Sequence, residues 1–314
     1  MIALLHAARA QGAVERYVEQ IAEALGGEGV LVEAEGEAPV RELVGILRRL
    51  RPRIAHVMDV WPQAVLAARL ARVPRVLVTH HTPELPRRDN LAGRVWQRLG
   101  WLARPEVIYT SEADRARDGR RPSHVVALGI DLERFDGARP ALRSDRPLVG
   151  NVARLAPQKD HRTLIEAARL VPEAEFVVAG DGELREELER QAAGSNVRFL
   201  GTRDDVPELL ASLDVFAFPS LFEGLCLAVI EAQAAGVPVV ATPVGGIRET
   251  VVDGETGLVV PTGDPPALAA AIRRLLEDRP AAEAMAVEAR GRVRERFSVE
   301  RMIEETLRLY GLRA

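Results

Sequence analysis

VFAFPSLFEGLCLAVIEAQAAGVPVVATPVGGIRETVV, from Val215 to Val252, is the stretch on which the reading of the whole chain turns. It opens with a short apolar run, Val215 to Phe218, ended by Pro219-Ser220, the pattern of a strand buried on both faces of a parallel sheet. A loop carrying Glu223-Gly224 leads to a helix expected from about Leu225 to Ala235 and closed by Gly236. A second buried strand, Val237 to Ala241, follows, and Gly245-Gly246 begin another helix. Strands and helices alternating at this spacing call for a doubly wound α/β sheet.

The helix is apolar nearly all round, with Leu227, Ala228, Val229, Ile230, Ala232, Ala234 and Ala235, which predicts burial. Glu231 nevertheless sits in its middle. A buried carboxylate is costly unless something pairs with it or hydrogen-bonds to it. An ion pair with an Arg and an acceptor for ligand hydroxyls both meet that need. A second carboxylate, Glu223, just outside the helix start favours the ligand. Both then lie near the carboxyl end of a parallel strand, where open α/β sheets bind ligands.

A chain of 314 residues, 47% of them apolar, has the length of two domains with sizeable cores. Its net charge of −4 argues against a general nucleic-acid binder. No apolar run is long enough for a membrane span. Met1 to Leu5 has neither a positive n-region nor a cleavage site, so no signal peptide is expected and the bacterial cytoplasm is the expected compartment. The single cysteine, Cys226, excludes an internal disulfide and a multi-cysteine metal site. Of 42 basic residues one is lysine, Lys159, and the other 41 are arginine, as in a GC-rich, thermophilic genome.

The amino-terminal half repeats the strand–helix alternation. Residues 2 to 8 read as a strand running into Arg9-Ala10-Gln11-Gly12. A helix with Val14, Val18, Ile21, Ala22 and Leu25 on one face comes next. A glycine turn between strand and helix either serves the turn alone or places N–H groups where an anion can sit. Further strands are expected at 30–34, 54–58, 75–79 and 107–110. His80-His81 stand at the carboxyl end of the fourth strand, a weak signal for zinc without cysteine or helical spacing. Residues 87 to 104 form a basic amphipathic segment, with Leu91, Val95, Leu99 and Leu102 on one side and Arg94, Arg98 and Trp101 on the other. It suits a domain helix with snorkelling arginines, or a face for anionic lipid.

A polar, proline-bearing stretch from Arg139 to Pro147 marks the hinge. The second half begins with a strand at 147–152, and the loop after it carries Arg154 and Lys159. A planar fork and a compact ammonium together can clamp a diphosphate. Lys159 is the more telling of the two, because a chain that otherwise uses Arg keeps its one Lys there. Gly180-Asp181-Gly182-Glu183, after a strand at 176–179, is not a dinucleotide fingerprint, since Arg185 stands where the third glycine belongs. Its glycines admit a ligand or only make the turn. Gly201-Thr202-Arg203 end the next strand, 196–200. After Gly263 the chain reads as helical, with a last amphipathic helix from Phe297 to Tyr310.

Glu223 and Glu231 in the frame F-E-G-L…I-E-A…A-G-V-P-V-V-A resemble the retaining glycosyltransferases of family 4, strongly from about Gly150 to Gly263 and loosely before that. The resemblance implies the GT-B fold: two Rossmann-like, doubly wound parallel-sheet domains facing across a cleft, at 1–142 and 143–296, with a helix at 297–314 packing back on the first. It implies that Glu223 contacts the donor sugar, Glu231 the ribose, and Arg154 and Lys159 the diphosphate. N–H groups from Gly224, Leu225, Cys226 and Leu227 join the diphosphate, and main-chain groups at Gly180, Gly182, Gly201, Thr202 and Arg203 line the nucleotide. In the first domain it implies Gly12 near the diphosphate and His81 near the sugar–phosphate linkage. Gly12 is alone where the family usually has two glycines, and Leu128 replaces the family's usual Asn before Gly129-Ile130-Asp131.

The expected reaction moves a hexosyl group, with retention, from a UDP- or GDP-linked sugar to a hydroxyl of a lipid, polysaccharide or small molecule. No cofactor or metal is expected, and the partners are donor, acceptor and, through 87–104, an anionic membrane. Rival readings are an epimerase or phosphorylase on the same fold, which product analysis with and without an acceptor separates, and a non-catalytic nucleotide-sugar-binding paralogue; the intact Glu223, Arg154 and Lys159 argue against the paralogue.

Overall fold

The computed structural model describes residues 1–7, 13–34, 38–58, 61–81, 102, 104–119 and 122–312. Gly12 and the 87–104 segment, apart from Leu102 and Arg104, lie outside the described residues. The chain divides into two compact units, Met1–Gly129 with Val299–Ala314, and Ile130–Ser298. The changeover comes earlier than the expected 142/143. The 130–142 stretch is held by the second unit: the Ala141 amide donates to the Glu208 carbonyl, that of Leu142 to Ser212 Oγ, and Asp136 pairs with Arg290 and Arg294.

In the first unit β1 (Ile2–Ala7), β2 (Gly29–Ala34), β3 (Ile54–Val57), β4 (Arg75–His80), β5 (Glu106–Tyr109) and β6 (Ser123–Val125) form one sheet, ordered β2-β1-β3-β4-β5-β6. All five pairings are parallel. Between the strands lie α1 (Ala13–Leu25), α2 (Val40–Leu50), α3 (Pro62–Leu70) and α4 (Glu112–Asp118). Alternate residues such as Ala3, Leu5, Ala55, Val57, Val76 and Val78 form one buried apolar face with Leu43, Leu47, Ala64 and Ala68 of α2 and α3. The opposite face carries His6, His56 and Thr79, all buried.

The second unit contains β7 (Leu148–Val152), β8 (Glu175–Ala179), β9 (Val197–Gly201), β10 (Val215–Phe218), β11 (Val239–Ala241) and β12 (Leu258–Val259), ordered β12-β11-β10-β7-β8-β9 and again all parallel. Counted within the unit from the other edge, this is third, second, first, fourth, fifth, sixth, the Rossmann order. The strand order reverses between β7 and β10, so the loops after these two strands flank the switch point.

The helices are α5 (His161–Leu170), α6 (Arg185–Gln191), α7 (Val206–Leu210), α8 (Leu227–Ala234), α9 (Ile247–Thr250), α10 (Pro265–Glu277) and α11 (Arg279–Arg296). The helical run after Gly263 is two helices, because Asp278 ends one and caps the next by accepting from the Ala281 amide. The last helix, α12 (Val299–Leu309), belongs to the first unit, where Tyr310 just beyond it bonds His56. No helix among the described residues is long and apolar enough to cross a membrane.

Candidate active site

The loop after β7 is fixed by its own sequence. Pro157 opens a 3-10 turn over Pro157–Lys159, and Asp160 then takes a left-handed conformation (φ 48°). Aspartate tolerates that region, and its carboxylate caps α5 by accepting from the Thr163 amide at 3.4 Å, while its other oxygen accepts from the Thr163 hydroxyl at 2.6 Å. Lys159 is thereby held between a rigid turn and a capped helix. Its ammonium reaches back to Glu223 on the loop after β10, with Nζ–Oε1 at 2.6 Å and only 15% and 8% of the two side chains exposed. Nζ also lies 5.1 Å from the centre of the Phe218 ring.

Ser220 completes the arrangement. Its hydroxyl is 2.6 Å from the same Glu223 oxygen and 2.8 Å from the Gln158 carbonyl, which also accepts from the Leu221 amide at 2.8 Å. The two switch-point loops are therefore stitched together by side chains and backbone. Glu223 Oε2 makes no hydrogen bond among the described residues, and an ammonium has three donors, so both members of the pair keep capacity for a ligand.

The Glu223 loop rests on the turn before α9. Gly245 has φ 51°, and a Cβ there would lie 1.8 Å from the Glu223 carbonyl oxygen, so only glycine allows this approach. The Gly246 amide donates to the Gly224 carbonyl at 2.9 Å. Cys226 is buried beside the pair; burial, then the Glu223 carboxylate, hold its thiol well above its ordinary value. It is therefore a protonated filler at neutral pH and not a nucleophile.

Glu231 is not buried on all sides. Leu227, Ala228, Glu231 and Ala235, spaced along one helical face, are only half-buried, while Val229, Ile230, Ala232 and Ala234 are fully buried. The helix leaves one strip open and the carboxylate stands in it. The buried polar residue of α8 is Gln233, whose amide donates to the carbonyls of Thr250 and Thr256 at 3.1 and 3.3 Å.

The remaining predicted residues are placed unevenly. Arg154 is exposed and forms no ion pair among the described residues. Gly180 and Gly182 make a close approach to protein backbone: a Cβ on them would lie 1.9 Å from the Ala153 oxygen and 2.5 Å from the Leu155 oxygen. Their loop packs directly on the one bearing Arg154. Gly201 supplies the carbonyl for the Gly180 amide at 2.8 Å, Thr202 is exposed, and Arg203 is paired through both arms with Asp205. His81 lies in the first unit, just past β4, its ring edge-on to Tyr17 with centroids 5.3 Å apart. Burial, then the neighbouring His80 and His6, lower it to about 4, so it is neutral at pH 7. Sequence reasoning missed Ser220, Gln158 and the Lys159–Glu223 contact. Ser220 stands three residues before Glu223 in a loop and not at a helix start, so no local pattern marked their contact.

Among the described residues no group of three or more His, Cys, Asp or Glu is arranged to hold a metal ion.

The architecture, two Rossmann-like units, is that of the GT-B glycosyltransferases. HepE of Anabaena, crystallised with UDP, shares it with a TM-score of 0.85, at 22% identity over 99% of both chains. The profile of the Glycosyl transferases group 1 family matches residues 146–278. The putative glycosyltransferase EpsF of Bacillus subtilis is 36% identical over 222 residues, 62% of this chain and 57% of that protein. The GDP-mannose-dependent alpha-(1-6)-phosphatidylinositol monomannoside mannosyltransferase of Mycobacterium tuberculosis is 35% identical over 281 residues, 76% of this chain and 72% of that protein. The chain belongs to the group 1 glycosyltransferases. Its match spans little more than half the length of EpsF.

Proposed function

We propose that this chain transfers a hexosyl group from a UDP- or GDP-linked sugar to a hydroxyl acceptor, with retention at the anomeric carbon. The observation that carries this reading is the Lys159–Glu223 pair at the switch point of the second sheet, where Rossmann-ordered sheets receive nucleotides. The match to relatives named as glycosyltransferases supports it.

As the donor's glycosidic bond breaks, negative charge grows on the leaving diphosphate. Lys159 has ammonium hydrogens to spare, Arg154 is exposed and able to swing onto a second phosphate, and the amides at the start of α8 add their dipole. These cations take the part that a divalent metal plays in other transferases, so the reading needs none. Glu223 Oε2 accepts a hydroxyl of the transferred sugar, and Oε1 stays on Lys159, which couples sugar position to diphosphate position. Glu231, on the open strip of α8, accepts the ribose hydroxyls. The Gly180–Gly182 and Gly201–Arg203 turns border the nucleotide. The acceptor is a lipid, polysaccharide or small-molecule hydroxyl, reached at the cytoplasmic face of an anionic membrane.

Incubating the protein with UDP-glucose, GDP-mannose and ADP-glucose in turn tests this. Release of nucleoside diphosphate with an α-configured sugar product from an α-linked donor is the expected result. An inverted product would refute retention, and conversion of the donor sugar without release of diphosphate would point to an epimerase instead.

A further inference from the structure

The second sheet parts at the switch point, and two buried side chains that the proposed reaction does not use stand at the parting. β7 and β10 pair only at Val149↔Val215 and Gly150↔Phe216. On their outer sides the same strands stay paired further, to Val152↔Ala179 and Phe218↔Ala241. Beyond Gly150 the ladder between them has ended, and the Ala217 carbonyl no longer meets a backbone amide of β7. Asn151 meets it instead: its Nδ2 donates to the Ala217 oxygen at 2.8 Å. The side chain thus spans the opening that the backbone leaves.

Because a carbonyl only accepts, this bond assigns the Asn151 amide, with nitrogen toward Ala217 and Oδ1 on the other side. Oδ1 lies 3.0 Å from His161 Nε2, which must therefore carry the ring proton. Nδ1 is then a bare acceptor, buried and without a hydrogen-bond partner among the described residues. Burial, then the Lys159 ammonium, hold the imidazole down to about 4, in keeping with a neutral ring. Asn151 is 1% and His161 2% exposed. Apolar residues of the same size fill such a space without the cost of burying polar groups, so the pair is there for its geometry. His161 is the first residue of α5, two positions after Lys159, with only the N-cap Asp160 between them.

We propose that Asn151 and His161 are a positioning pair: by tying Ala217 on β10 to the first turn of α5, they set the width of the switch-point opening and so hold Lys159 against Glu223. The geometry stands by itself, and its consequence for turnover rests on the function proposed above.

The chain supplies its own probe, because Lys159 is its one lysine. Protein labelled with ¹³C only in lysine gives a single side-chain ε-methylene signal, displaced from that of free lysine by the Phe218 ring. In His161→Leu and Asn151→Leu that signal should move toward the free-lysine position. In His161→Gln, whose amide nitrogen reaches the place of Nε2, it should stay. If the Leu variants do not fold, His161→Asn, one methylene shorter than Gln, carries the same contrast. A wild-type lysine signal in folded His161→Leu, or in folded His161→Asn in its place, would overturn the proposal.

Hydrolysis of the donor that the wild type turns over best gives the second readout. His161→Leu should lower kcat at least fivefold, and should cause no further loss in a Lys159→Ala background, because it acts through that lysine. Losses that multiply would overturn the proposal. Full turnover in Lys159→Ala would instead sink the proposed role of Lys159, while the lysine signal would still judge the positioning pair.

Discussion

The two sheets bury polar side chains for different ends. In the first, His56 lies under the sheet with Nδ1 2.5 Å from the Tyr310 hydroxyl and Nε2 2.6 Å from Thr79 Oγ1. Arg53 donates to the Tyr310 carbonyl at 2.9 Å, and Arg75 grips Glu106 through both arms at 2.7 and 2.6 Å while also reaching the Leu309 carbonyl. These bonds fasten the last helix to the strands and are closed on themselves. In the second unit Gln233 closes one such set with the Thr250 and Thr256 carbonyls, but the polar groups where β7 and β10 part end in groups with capacity left over, Lys159 Nζ and Glu223 Oε2. A closed network secures a fold. An incompletely closed one at a switch point is what a charged ligand can complete.

That contrast is broken most severely by Glu223→Gln. It leaves the Lys159 ammonium largely buried without its carboxylate, which for such pairs costs about 3 kcal/mol. The expected result is a clear fall in melting temperature together with donor hydrolysis at least 100-fold lower. Unchanged stability would mean that the pair is effectively solvated.

Glu231→Ala probes the open strip of α8. Loss of a charge-assisted hydrogen-bond pair, about 1.5–3 kcal/mol, should weaken nucleotide binding at least tenfold. The helix should persist, since Ala is its best former. Calorimetry giving wild-type affinity in the folded variant would remove Glu231 from the ribose.

Lys159→Arg keeps the charge and changes the shape. A wide planar fork in a space fitted to an ammonium between Glu223 and the Phe218 ring should misplace the diphosphate, and turnover should fall at least tenfold with melting temperature almost unchanged. Turnover within twofold of wild type would show that charge alone matters at position 159.

For the first sheet, pH is the finest probe. Burial lowers His56 to about 3, against an ordinary value of about 6.5. Above that value neither state of the chain holds the proton. Below it the unfolded chain takes up a proton that the folded one refuses, so stability falls by at most about 1.4 kcal/mol per pH unit for this histidine. Thermal melts should drop progressively from pH 6.5 to pH 5. A flat melting temperature over that range would contradict the neutral, enclosed state of His56.

Much of this was legible in the sequence. Short continuous apolar runs such as Val215–Phe218, alternating with helical patterns at regular spacing, mark a parallel sheet. The Glu223–Glu231 frame and the lone lysine pointed to one site. What could not be read was pairing across distance. Lys159 and Glu223 are 64 positions apart, and their contact exists because the strand order reverses between β7 and β10, a topological fact with no local signature. Asn151, inside β7, carried no local signal, for the same reason. The all-round apolar pattern of α8 overstated its burial, because an alanine on the open strip reads the same as one in the core. β12, only Leu258–Val259, is too short to show a period of two. The break at Asp278 did have a signal, Asp278 followed by Pro280 in the first turn of the next helix, which the apolar spacing continuing through both helices outweighed.

The central claim is that the parting between β7 and β10 receives a nucleoside diphosphate through Lys159. Calorimetric titration of UDP, GDP and ADP into the wild type and Lys159→Ala tests it most directly. At least one nucleotide should bind the wild type, and Lys159→Ala should bind that nucleotide at least tenfold more weakly. Equal affinity in the two folded proteins, or no binding of any of the three to the wild type, would contradict it.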